Sequence, residues 1–211
     1  MTRTEITIDQ PTPATQKSLA LNAILQELRA EKRYTILDLG PARGINVDFW
    51  SQSAGRLHVE DFYRTWLSSV SLPLPEGVTY QEVYEKLLPY PEDTRLDIIL
   101  SWDLFNYFDP IQNESLVRYL GRFCQPGTFL LALISSLHHM PAEPITFKIL
   151  DRNRIVYETS SSEIRPCPRY QARDIAKMMV GFKVFNSFIL RNGIQEHLFV
   201  YDALPHSLLT K

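Results

Sequence analysis

The run YTILDLG, residues 34–40, ends in an acid and a Gly40-Pro41 turn, and the spacing after it changes from strand-like to helical. The same change recurs down the chain. RLHVEDF (56–62) reads as a second strand, with a helix expected over 64–70. LDIILSW (96–102) begins as a third, and TFLLALISS (128–136) follows the amphipathic segment NESLVRYLGRFC (113–124), for which Asn113 is the expected N-cap. Short apolar runs of this kind are strands buried on both faces. Strands that alternate with helices argue for a mainly parallel sheet with right-handed crossovers.

The two ends of the chain read differently. Leu19, Ala20, Ala23, Ile24 and Leu28 recur at helical steps, with Thr15 as expected cap and the charged run 29–33 at the helix end. Residues 1–14 form a loose arm, 15–205 a single domain and 206–211 a tail. Near the C-terminus a helix over 170–182 precedes KVFNSFIL and EHLFVYDA, which flank Asn192-Gly193. Both turn residues tolerate positive φ, so an antiparallel hairpin closes the sheet. TFKILDRNRIVYET (146–159) alternates in a second hairpin with Arg152-Asn153 near its tip.

Composition narrows the function. The 22 basic and 24 acidic side chains give a net charge of -2, and no long basic run suggests nucleic-acid binding. Cys124 and Cys167 have no metal or disulfide spacing and read as free thiols. The longest apolar run, FLLALI, is too short to span a bilayer, and no signal-peptide pattern is present, so a cytoplasmic protein is expected. There is no HExxH, P-loop or GxSxG motif. Adjacent His138 and His139 would point oppositely in a strand, which argues against a shared metal.

Several segments, in order, resemble the class I S-adenosylmethionine-dependent methyltransferases. ILDLGPARG is similar to their first strand and glycine loop, and LHVED to their second strand with its ribose acid. LLPYPEDTRLDIILSWDLFNYF resembles the turn and fourth strand, and LVRYLGRFCQPGTFLLALI the helix, turn and strand that follow. GFKVF and the Asn-Gly hairpin look like the last two strands. The likeness spans roughly residues 34–202. It implies an α/β, Rossmann-like, mainly parallel seven-stranded sheet with helices on both faces and a C-terminal antiparallel hairpin.

It also implies S-adenosylmethionine as cofactor and a small-molecule or protein methyl acceptor. The cofactor residues it implies are Asp38, Gly40, Ala42, Gly44, Glu60, Asp61 and Asp103. Ala42 stands where the family has its middle glycine. Gly40 and Gly44 would let the backbone approach the ligand. Asp38 either lies by the ligand or caps the turn, and Arg43 pairs with the ligand carboxylate, with Asp38 or with solvent. Glu60 and Asp61 compete for the ribose hydroxyls. Glu82 and Glu85 are alternatives for the adenine edge, and Asn106 lies beside the expected ligand, whereas Trp102, Phe105 and Tyr107 read chiefly as packing, with flanking of the adenine or substrate by one of them as the alternative. No catalytic residue is named, since methyl transfer needs a base only when the acceptor must lose a proton early. Residues 141–162 sit where the family inserts substrate-recognition elements; they either cover the pocket or form a homodimer contact. The alternative to an enzyme is a catalytically inactive ligand-binding or interaction domain.

Overall fold

The computed structural model describes residues 14–159, 161–190 and 193–202. The expected arm (apart from Ala14), the tail and Asn192 lie outside the described residues. The chain enters as a strand, β1 (Ala14–Lys17), and Ser18 caps helix α1 (Leu19–Glu27) by accepting from the Leu21 amide. Thr15 is therefore not the cap: β1 is drawn into an antiparallel pairing that overrides helical spacing. The basic run falls beyond the helix end rather than in its last turn.

Next come β2 (Tyr34–Asp38), α2 (Gly44–Ser51), β3 (Ala54–Val59), α3 (Phe62–Ser69) and α4 (Tyr80–Leu87). Thr79 and Glu82 close a reciprocal capping box that starts α4, where the sequence pattern is mixed. β4 (Leu96–Trp102) runs into a short 3-10 turn, then α5 (Pro110–Gly121) and β5 (Cys124–Ser135). Asp109, with Pro110 at the first helical position, caps α5 instead of Asn113. Asn113 is fully buried and donates to the carbonyls of Phe105 and Phe108. The remaining elements are β6 (His139–Pro141), β7 (Thr146–Asp151), β8 (Arg154–Glu158), β9 (Ile164–Pro166), α6 (Ala172–Met178), β10 (Phe182–Ile189) and β11 (Ile194–Tyr201).

The central sheet has the order β10-β11-β5-β4-β2-β3. β3, β2, β4 and β5 are parallel, while β11 and then β10 add antiparallel. Among the described residues this sheet has six strands, not the expected seven. The stretch between α3 and β4 carries Pro73, Pro75, Pro89 and Pro91. Proline donates no ladder hydrogen bond, and the one long segment there folds as α4, so no strand extends the sheet beyond β3. Side-chain alternation sends Leu37, Ile99, Leu130 and Phe199 to one face and Ile36, Ile98, Leu131 and Leu198 to the other. The first face packs on side chains of α3–α6 and the second on α1, Trp50 of α2 and Phe147, Ile149 and Ile155. Both faces are covered, which is why these strands read as unbroken apolar runs.

β7 and β8 form the second hairpin, with Asp151 opposite Arg154. Together with β1 they make a separate sheet of order β1-β8-β7. β7 is an edge of that sheet and lies against α2.

Candidate cofactor cleft

The parallel strand order reverses between β2 and β4, and in open α/β sheets ligands sit beyond the carboxyl ends at such a point. Asp38 ends β2 and Trp102 ends β4. Asp38 is buried; its Oδ1 accepts from the Gly40 amide at 3.0 Å and from the Trp102 indole N–H at 2.6 Å. Burial raises its carboxyl to about 6, against the pull of these hydrogen bonds.

Trp102 adopts a positive φ of 50°, an outlier for a bulky side chain. Such a conformation costs on the order of 1–3 kcal/mol and persists only when its surroundings over-determine it. Here they do. The indole is hydrogen-bonded to Asp38 and stacks nearly flat on Phe147 of β7, with ring centroids 5.2 Å apart and planes at 7°.

Asn46, in the first turn of α2, is almost fully buried. Its amide N–H donates to the Phe147 carbonyl at 2.9 Å, and its oxygen accepts from the Ile149 amide at 2.8 Å. The side chain thus pairs with the free edge of β7 much as a neighbouring strand would. Arg43 donates to the Thr146 hydroxyl at 3.1 Å. Asp103 accepts from the Ile145 amide at 2.9 Å, and burial raises its carboxyl to about 7.

These contacts bring part of the expected site together. Gly40, Asp61 and Asp103 line one cavity with Pro41, Trp102 and Ile145, and Asp38 lies directly beneath, bonded to Gly40 and Trp102. Ala42, Gly44 and Glu60 are not in its wall. Glu60 continues the β2–β3 ladder, its amide donating to the Asp38 carbonyl at 2.8 Å, and burial raises its carboxyl. Arg43 is exposed and donates to Thr146, a partner outside the expected set, rather than to Asp38. Glu82 is engaged in the α4 cap and Glu85 pairs with Arg122, both on the surface. Asn106 is a structural pin that donates to the Asp103 and Leu133 carbonyls and accepts from the Ser135 amide. His138 approaches Arg169, and no metal-binding group of three or more His, Cys, Asp or Glu occurs among the described residues. Among the described residues, no helix is long and apolar enough to cross a membrane.

Sequence reasoning missed Asn46, Ile145 and Phe147. Nothing local marks them, because their partners are remote in sequence.

The cavity measures about 20 Å3, space for about one water molecule. A pocket for an adenosyl compound needs on the order of 300 Å3 or more. A Cβ built on Gly40 would stand 2.9 Å from Trp102 Cδ1, so the space that the glycine leaves open is taken by the indole. In the state described, the side chains present do not accommodate the cofactor.

A solved S-adenosylmethionine-dependent methyltransferase from Clostridium acetobutylicum ATCC 824 matches with a TM-score of 0.52 at 10% identity, over 87% of this chain and 91% of that one. The chain shares the fold of that methyltransferase. At such low identity the likeness is one of architecture. The 1,6-didemethyltoxoflavin-N1-methyltransferase of Burkholderia thailandensis, solved with 1,6-didemethyltoxoflavin and S-adenosylhomocysteine, scores 0.48 at 11% identity over 88% and 79%. No family model and no curated protein matches the chain in sequence. Relative to the seven-stranded expectation, this methyltransferase fold has six strands among the described residues and carries the β1-β8-β7 sheet across its cleft.

Proposed function

We propose that the chain is an S-adenosylmethionine-dependent methyltransferase acting on a small-molecule or protein acceptor. The observation that carries the reading is the gathering of Asp38, Gly40, Asp61 and Asp103 at the strand-order reversal of a methyltransferase fold. In this reading residues 40–44 form the cofactor loop, with Ala42 and Gly44 reached once the cleft widens. Glu60 or Asp61 takes the ribose hydroxyls; Asp61 has the advantage of lining the cavity. Residues 141–162 are the substrate-side insertion of a single domain spanning 15–205.

The filled cleft favours a second reading, a methyltransferase-fold ligand-binding or interaction domain without catalysis. Thermal shift with S-adenosylmethionine, S-adenosylhomocysteine and NAD separates the two. A ligand at a hundred times its dissociation constant adds about 2.7 kcal/mol. The enzymatic reading expects stabilisation by the first two and not by NAD. No stabilisation of either the wild type or Trp102→Ala would reject it in favour of an interaction role.

A further inference from the structure

We infer that β7 and Trp102 form an autoinhibitory strap: the indole occupies the ligand cleft, and β7 must lift before an adenosyl-sized molecule enters. The strap belongs to the β1-β8-β7 sheet, which among the described residues shares no strand pairing with the central sheet. Side-chain contacts hold it over the cleft. Asn46 grips the Phe147 carbonyl and the Ile149 amide, Asp103 the Ile145 amide and Arg43 the Thr146 hydroxyl. Three of these four bonds end on backbone, two within β7 and one at Ile145 just before it, so they hold the strand's position whatever side chains it carries.

The plug and the strap depend on each other. Trp102 keeps its positive φ while Phe147 covers one face of the indole and Asp38 takes its N–H. Withdrawing β7 removes the stack and leaves the strained backbone without that support, so a ligand that lifts β7 also frees the indole. Phe147 and Ile149 are nearly fully buried, which makes closure the resting state. The identity of the entering molecule rests on the cofactor reading above; the strap itself does not.

The test uses the full chain labelled with 5-fluorotryptophan, in which the Trp102 resonance is identified by its loss in Trp102→Phe. Without ligand, Asn46→Ala is expected to broaden or shift the Trp102 resonance and raise its solvent exposure, leaving that of Trp66, buried on the opposite face of the sheet, in place. An unchanged Trp102 resonance in Asn46→Ala overturns the strap, whatever the protein binds. If Asn46→Ala fails to fold, Asn46→Ser, which stays polar and neutral but is too short to bridge the Phe147 carbonyl and the Ile149 amide, replaces it.

Titration with S-adenosylhomocysteine follows. Losing two hydrogen bonds that favour the closed state should tighten binding about tenfold in Asn46→Ala, by the closed-state tax on apparent affinity. In the wild type the ligand should move the Trp102 resonance alone. Binding that leaves that resonance unmoved overturns the strap. Absence of binding in wild type, Asn46→Ala and Trp102→Ala, with the strap signature intact, rejects the cofactor reading instead.

Discussion

Replacing Gly40 by alanine tests the closed cleft with one methyl group. The new Cβ would lie 2.9 Å from Trp102 Cδ1, 3.1 Å from its Nε1 and 3.2 Å from Asp38 Oδ1. The first distance is shorter than real Cβ contacts, and the crowded atoms belong to a ring pinned on both sides. Gly40 does not have a positive φ, so the effect is steric rather than conformational. Overpacking of this kind costs about 1–3 kcal/mol. If the indole yields, its hydrogen bond to buried Asp38 is lost as well, and bonds to charged groups contribute about 1.5–3 kcal/mol. Because the chain can relax into whichever is cheaper, about 2 kcal/mol is the expected loss, or roughly 4–8 °C in melting temperature for a domain of this size. Gly44→Ala is the control, because a Cβ there meets nothing within 4 Å, and it should stay within about 0.5 kcal/mol of wild type. Urea unfolding followed by circular dichroism gives both numbers, and the Trp102 resonance of 5-fluorotryptophan-labelled protein reports whether the indole moved. Equal stability of the two variants, with that resonance unchanged, would refute the packing described.

Three further outcomes follow from the same contacts. Asp103 and Asp38 carry raised values of about 7 and about 6, so between roughly pH 4 and 7 the native protein holds protons that the unfolded chain has released. Stability contributed by these groups should fall as pH rises through that window, and Asp103→Asn, which keeps an acceptor for Ile145, should flatten the fall in urea midpoints; an unchanged pH slope would contradict this. Glu196, buried in β11, accepts from the Ala20 amide at the start of α1, so Glu196→Ala should cost about 1–3 kcal/mol while Glu196→Gln costs clearly less; equal costs on urea unfolding would count against that role. Gly181 has φ +82°, and an added Cβ would stand 2.7 Å from the Tyr201 ring, so Gly181→Ala should lose at least about 1 kcal/mol by chemical denaturation, and a neutral result would contradict the placement of the turn before β10 against Tyr201.

What was legible from sequence was whatever local spacing controls. β2, β4 and β5 are buried on both faces, so their apolar runs needed no knowledge of partners. The 146–159 alternation likewise gave the β7–β8 hairpin. Reading failed where long-range contact overrode local pattern. Thr15 has cap chemistry but pairs opposite Val156. Asn113 has it too, yet lies inside α5, because Asp109-Pro110 starts the helix earlier. Pro126-Gly127, in the segment that resembles the family's helix, turn and strand, lies within β5 at a register shift, where Gly127 takes φ +95°. At the cleft, the resemblance to the methyltransferases marked Asp38, Gly40, Ala42, Gly44, Glu60, Asp61 and Asp103; Asp38, Gly40, Asp61 and Asp103 lie at the cavity, whereas Ala42, Gly44 and Glu60 do not line it. Trp102 read chiefly as packing, which its burial and its stack on Phe147 fit; the proposal that it also plugs the cleft rests on its closeness to Gly40, which no local spacing shows.

The most direct test of the account is the structure of the protein crystallised with saturating S-adenosylhomocysteine. The ligand is predicted beside Gly40, Asp61 and Asp103, with the indole of Trp102 displaced from Phe147. A ligand bound elsewhere, or bound while the indole still stacks on Phe147, would contradict it.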